Sequence, residues 1–283
     1  MNAAACPARF IDAHDRTWLS RIEDAGLNAS APPQQRWMDG WLVRLSPGKA
    51  QRARCINAVA AGHRPPLQML AECRVLYAAA GLPLLVRITP FTQPPELDRL
   101  LADAGFEYHD DTRVMVLPYL RALARNTQHE RRAEDPVPAR PGLPEGTAVA
   151  EVTATAYAEV VGELRGSAAT ERGAHAARLA QSPVPYRGFV LHEAADPSAV
   201  LACAQMAGEG PLVGLYDVMT SPAARRQGYA SRLCEYLLAL AATGGAKSAY
   251  LQVGADNEAG RSVYRRMGFS DAYSYHYRRA PAA

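Results

Sequence analysis

The sequence predicts an α/β protein built as two lobes. Apolar, strand-like runs alternate with helix-period runs along the whole chain. Residues 121–144 (RALARNTQHERRAEDPVPARPGLP) interrupt that pattern with charges and four prolines, so they read as a linker. The third observation is a long apolar run, Leu212–Thr220, that stops at Ser221–Pro222 and leads through a glycine-containing loop into an amphipathic run. The expected division is an N-terminal lobe over 1–120, the linker over 121–144 and a C-terminal lobe over 145–283. At 283 residues the chain is long enough for two such lobes.

Composition narrows the function classes. The 48% hydrophobic and 21% charged residues suit a globular protein and argue against disorder. Apolar runs stay below about 18 residues, so no membrane partner is expected. The first residues, MNAAACPARFIDAHDR, do not read as a secretory signal. The net charge is +3; the linker carries five Arg against three acids, which leaves the lobes nearly neutral and argues against a nucleic-acid partner. The five cysteines (6, 55, 73, 203, 234) are odd in number and form no CxxC. They read as free thiols in a reducing cytosol, so a cytoplasmic location and no metal are expected.

In the N-terminal lobe, Gly40–Leu45 reads as a strand followed by a Pro47–Gly48 turn, and Arg52–Ala60 as a second strand. Leu67–Ala80 reads as a helix with Leu67, Leu70, Ala71 and Arg74 on one side and Gly81 past its end. Leu84–Ile88 is a short buried strand, Glu96–Ala104 a helix stopped by Gly105, and Arg113–Leu117 a final strand. Arg44, Arg52 and Arg54 are candidates to face an acidic ligand, or else to line a solvated strand face.

In the C-terminal lobe, Thr155–Gly166 and Thr170–Gln181 read as helices, and Arg187–His192 and Val200–Ala207 as antiparallel neighbours. Tyr229–Ala242 places Leu233, Leu237, Leu240 and Ala241 on one face and ends at Gly244–Gly245. Ala249–Val253 is a strand and Asn257–Met267 a helix stopped by Gly268. Phe269–Tyr277 is a closing strand with Tyr273, Tyr275 and Tyr277 on one face. The endings Leu101–Phe106 and Tyr264–Phe269 share helix, glycine, phenylalanine and strand, which suggests a duplicated unit.

The chemistry concentrates in Val218–Ser231. Where a strand turns into a helix, the first helical N–H groups lack carbonyl partners and point with the positive end of the dipole. An anion placed there is favoured. Gly228 and Ala230 let the backbone approach a bulky diphosphate, and Arg225 and Arg226 add positive charge. A phosphate loop of another kind would show Gly-Lys-Ser/Thr or Gly-x-Gly-x-x-Gly; neither is present.

This segment resembles the acyl-CoA-binding motif of the GCN5-related N-acetyltransferases (GNATs), Gln/Arg-x-x-Gly-x-Gly/Ala, through Arg225, Gly228 and Ala230. Further on, Asn257-x-x-Gly-x-x-Val263-Tyr264-x-x-x-Gly268-Phe269 is similar to the family's second signature, with Gly260 where alanine is usual. The resemblance covers roughly 145–280. It implies a tandem GNAT-like α/β fold of mixed, mostly antiparallel sheets flanked by helices, with acetyl-CoA as acetyl donor and a small-molecule or protein amine as acceptor. It also implies site roles. Backbone groups of Val218, Met219 and Thr220 would pair with the pantetheine arm. The N–H groups from Arg226 through Gln227, Gly228, Tyr229 and Ala230 to Ser231 would hold the diphosphate, Asn257 would hydrogen-bond the cofactor, and Tyr264 would protonate the leaving thiolate. The base stays open, with Asp217, His192 and Glu193 as weak candidates. The N-terminal lobe carries no such loop and resembles the non-catalytic half of tandem members. A non-catalytic acyl-CoA sensor is the alternative function, and oligomeric state is left open.

Overall fold

The computed structural model describes residues 8–11, 14–120 and 142–281. Most of the expected linker and Cys6 therefore lie outside the described residues. The chain forms two compact units that do not follow chain order. Unit 1 comprises 1–114, 253–258 and 271–283; unit 2 comprises 115–252 and 259–270.

Unit 1 begins with α1 (Arg16–Ala29), which the sequence analysis did not anticipate. Asp15 caps it by accepting the Thr17 N–H at 2.9 Å. Leu19, Ile22, Ala25 and Ala29 form its buried face, and a buried Glu23 among them blurs the apolar period. Next come β1 (Gln35–Met38), β2 (Trp41–Arg44), a single 3₁₀ turn at Gln51–Ala53 and β3 (Ile56–Ala58). The expected strand over 52–60 is thus half turn and half strand. Helix α2 (Pro66–Ala79) buries Met69, Leu70, Cys73 and Tyr77, whereas Leu67 is 58% exposed. The face that packs is rotated from the one read off the sequence. Strand β4 (Leu85–Ile88) and helix α3 (Leu97–Asp103) follow, then β5 (Glu107–Leu117), longer than expected.

The unit 1 strands run β1-β2-β3-β4-β11-β5, where β11 is Ser270–Arg279 near the far end of the chain. β11 pairs antiparallel with β4, Tyr277 opposite Arg87, and Tyr273 bridges to Phe10. This placement separates Asp271–Ala283 from the rest of 145–283: the closing strand completes unit 1. The cause is long-range pairing together with the Tyr273 hydroxyl, which donates to Glu23 Oε2 at 2.6 Å.

Unit 2 contains β6 (Thr147–Val152), α4 (Ala154–Leu164), α5 (Ala169–Ala180), β7 (Tyr186–Glu193), β8 (Val200–Glu209), β9 (Leu212–Thr220), α6 (Tyr229–Thr243), β10 (Ser248–Gly254) and α7 (Glu258–Arg266). Its strands run β10-β9-β8-β7-β6. The two elements at the chain junctions, β10 and α7, reach over the cluster boundary by a residue or two. Tyr157 and Val161 of α4 and Leu179 of α5 pack on Val190 and Cys203 of the sheet.

Both units share one construction. Each unit sets a parallel pair, β3/β4 and β9/β10, beside antiparallel neighbours, and the strands of each pair are joined by α2 and α6 respectively. Parallel neighbours need such a crossover. The repeated helix ending has matching geometry too. Gly105 and Gly268 both adopt positive φ (80° and 92°). Phe106 N–H donates to Leu101 O and Phe269 N–H to Tyr264 O, each at a helix C-terminus.

Candidate active site

The site starts in β9. Its parallel pairing with β10 covers only Leu212–Leu215 against Ser248–Leu251, although β9 continues to Thr220. On its other side β9 stays paired with β8 as far as Thr220, opposite Ala202. Tyr216–Thr220 therefore offers a backbone edge that β10 does not cover. Val218, Met219 and Thr220 lie on it, each half-buried.

A bulge shapes this edge. The β8/β9 register shifts between Cys203 and Gln205, opposite Asp217 and Val218, and Asp217 holds a left-handed φ of 51°. The Tyr157 hydroxyl donates to the Asp217 carbonyl at 3.0 Å, and Arg165 Nη2 donates to its Oδ1 at 2.6 Å. His175 Nε2 lies 3.3 Å from Oδ2. Burial alone would raise the Asp217 carboxyl, but the neighbouring His175 ring and the Arg165 guanidinium hold it well below the usual carboxylate range. A carboxylate so committed is a poor proton acceptor. Sequence reasoning missed Arg165 and His175, which no local spacing connects to Asp217.

Beyond Thr220 the chain makes a 3₁₀ turn at Pro222–Ala224 and enters α6. Arg226 and Gly228 both take left-handed φ, 65° and 82°. Gly228 is the N-cap, and no side chain caps the helix. The first hydrogen bond beyond the cap is Arg232 N–H to Gly228 O at 3.0 Å, so the N–H groups of Tyr229, Ala230 and Ser231 precede the helical ladder. Alternating left-handed residues followed by open N–H groups make an anion-binding concavity. Arg225, Arg226, Gln227 and Gly228 are exposed around it.

Tyr264 is half-buried on α7, its ring edge-on to Phe269 with centroids 6.0 Å apart. Burial pushes its phenol above the ordinary range, and the nearby Cys234 thiol adds to that. It stays protonated at neutral pH and so can donate. Asn257, in the turn before α7, donates its N–H to Gly254 O and clusters with unit 1. Val218–Ser231 are thus contiguous within unit 2, as is Tyr264, while Asn257 is not part of that unit.

The four described cysteines are buried and free. Burial pushes Cys55, Cys73 and Cys203 up to about 11 and Cys234 up to about 12. Among the described residues no cluster of metal-ligating side chains occurs, and no helix is long and apolar enough to cross a membrane.

Comparison with known proteins decides the family. The model of the family described as "Probable histone acetyltransferase Rv0428c C-terminal" matches residues 19–278. The chain belongs to this acetyltransferase family, within the GNAT superfamily. It is 23% identical over 248 residues to the uncharacterized N-acetyltransferase YobR of Bacillus subtilis (strain 168), covering 86% of this chain and 91% of that one. Two solved structures share the fold. The GCN5-related N-acetyltransferase from Kribbella flavida aligns with a TM-score of 0.62 at 19% identity, over 93% of this chain and 96% of the other. A tandem GNAT protein from the clavulanic acid biosynthesis pathway, in a structure without AcCoA, aligns at 0.54 and 15%, over 77% and 70%. The tandem GNAT-like expectation of mixed, mostly antiparallel sheets holds, and the family supports acyltransferase activity.

Proposed function

We propose that the protein is an acetyl-CoA-dependent N-acetyltransferase acting on a primary amine, with unit 2 as the catalytic unit. One observation carries this reading: the uncovered Tyr216–Thr220 edge runs directly into the open N–H groups at the start of α6. An extended pantetheine arm can pair with such an edge as an added strand. Its diphosphate then meets the amides of Arg226–Ser231, the helix dipole and two exposed arginines.

The reaction is direct attack. The amine nitrogen bonds to the thioester carbonyl carbon, the C–S bond breaks, and the CoA thiolate takes a proton from the Tyr264 phenol. The amine must lose a proton first. Asp217 is committed to Arg165 and His175, and no other acid lies on β9, which points to water as the relay. The committed Asp217 also favours a second reading, a non-catalytic acyl-CoA sensor. Calorimetry with acetyl-CoA tests the shared cradle, and absence of binding overturns both readings. An assay of acetyl-CoA consumption against amines, aminoglycosides and peptides then separates them: turnover with any amine establishes the enzyme, and binding without turnover leaves the sensor.

A further inference from the structure

Asp217 sits where the thioester arrives, on the proposed reading of the β9 edge on which this inference rests. The uncovered edge from Tyr216 to Thr220 is about 13 Å long. The pantetheine arm, with its two amides, reaches about as far as four extended residues, again about 13 Å. With the diphosphate at Arg226–Ser231, the reacting carbonyl comes to the Tyr216–Asp217 end.

At the left-handed Asp217 the carboxylate is turned to α4 and α5. Arg165, just past α4, donates to Oδ1 at 2.6 Å, and His175 of α5 places Nε2 3.3 Å from Oδ2. The imidazole is 15% exposed, yet Nε2 itself has no accessible surface. What the ring shows to solvent is therefore its other part, which carries Nδ1.

An imidazole beside an ionised carboxylate keeps its proton on the nitrogen that faces the carboxylate. Arg165 keeps Asp217 ionised, so the proton belongs on Nε2 and the lone pair on Nδ1. A carboxylate that will not take a proton thus makes its neighbour a proton acceptor, and it steadies the imidazolium that results. The other titratable and charged groups packed here are engaged or neutral. The Tyr157 phenol of α4 donates to the Asp217 carbonyl at 3.0 Å, and burial keeps the Cys203 thiol of β8 protonated. On α5 itself, Arg172 pairs with Glu159 at 2.7 Å and Arg178 lies 5.9 Å from the centre of the Tyr186 ring.

We propose that His175 is the proton acceptor of the acetyl transfer, with Asp217 and Arg165 as its positioning residues. The relay water takes a proton from the substrate ammonium and passes one to Nδ1, leaving a neutral amine and an imidazolium. The amine nitrogen bonds to the thioester carbon, the C–S bond breaks, and the thiolate takes the Tyr264 proton. The imidazolium and the new amide each release one proton to solvent, and the Tyr264 phenolate regains one. One proton therefore leaves per turnover.

The test uses the full chain and an amine that the parent acetylates. His175→Gln should lower kcat/KM by about 100-fold at about pH 7. Acetyl-CoA affinity in calorimetry should stay within about twofold. The deficit should shrink by at least about fivefold at about pH 9.5, where more of the amine arrives already neutral; a merely structural role leaves it equal at both. Imidazole ¹⁵N spectra of the free protein give a readout apart from turnover. Nε2 should carry the proton in the parent, and Asp217→Asn should give mixed tautomers and a lower kcat. Circular dichroism confirms folding, and if Asp217→Asn does not fold, His175→Gln and the parent spectrum decide. The inference alone fails if the parent acetylates an amine and His175→Gln does so equally well, if the deficit does not change with pH, or if Nδ1 carries the proton in the parent. A parent that binds acetyl-CoA and acetylates no amine overturns the enzymatic reading, and this inference with it.

Discussion

The two strand-to-helix junctions, β9 to α6 in unit 2 and β3 to α2 in unit 1, follow the same construction and end in opposite chemistry. At the first, two left-handed residues and an uncapped helix leave N–H groups open to an external anion. At the second, the protein supplies the anion itself. Asp39 accepts the His63 N–H through both carboxylate oxygens (3.0 and 2.9 Å) and the Arg64 N–H at 2.7 Å. Those backbone hydrogen bonds, with the charge of Arg64, hold Asp39 below the ordinary carboxylate range. Pro65 and Pro66 then enter α2 without N–H groups to offer. The strand edges differ in the same way: Gln93 N–H already occupies Ala58 O at the end of β3, whereas β9 runs beyond its β10 partner. A parallel pair with a crossover helix is therefore not enough to leave helix N–H groups open. What decides is whether the chain has satisfied its own amides.

The largest expected effect comes from closing the open junction. Gly228→Val forces a β-branched residue into a left-handed conformation, which costs about 1–2 kcal/mol, and crowds the amides. Acetyl-CoA affinity should fall by about 10- to 100-fold in calorimetry, with the melting temperature lowered by only a few degrees. Retained affinity would break the comparison. Tyr264→Phe should reduce kcat by about 100-fold or more while acetyl-CoA affinity stays within about twofold; equal turnover removes the acid role. A third measurement sharpens the contrast. The chain should bind one acetyl-CoA, and Asp39→Ala should lower the melting temperature without creating a second site, since the prolines and the occupied β3 edge remain. Two bound molecules would show that unit 1 is open as well.

The smallest effect concerns how β11 is held in unit 1. Burial alone would raise Asp98 of α3, but His276 Nε2 at 2.9 Å and Arg278 Nε at 2.7 Å hold it at about 2. A carboxyl with a lowered folded-state pKa adds stability above its unfolded value, and that stability is lost as pH falls through the folded one. Denaturant titrations should therefore show about 2 kcal/mol lost between about pH 4 and pH 2. Asp98→Asn should flatten that slope. An unchanged slope in the variant would mean that these contacts do not anchor the strand.

Much of unit 2 was legible because its signals are local. The apolar run, the breaker at Ser221–Pro222, the loop glycine and the amphipathic period of α6 lie within a few residues of what they determine. Unit 1 was harder to read. Arg44 was a candidate for an acceptor site or a solvated face, but it is 1% exposed: it donates to Leu27 O and the Ser30 hydroxyl at the end of α1, to Arg52 O in the 3₁₀ turn and to Gln35 Oε1 of β1. Edge strand β1 has an exposed pattern with no apolar alternation to announce it. Strand β6 is half-exposed along most of its length.

The amino-acid sequence by itself determined the local pieces: the glycine-containing loop between β9 and α6, the helix endings at Gly105 and Gly268, and the candidate acid Tyr264. Only the tertiary structure decided which unit receives β11, that Asp39 fills the junction of unit 1, and that Arg165 and His175 occupy Asp217. The reason is range. Caps, turns and periods act over a few residues, whereas the Tyr273 bond to Glu23 joins groups 250 residues apart, and such a partner leaves no mark in the neighbouring sequence.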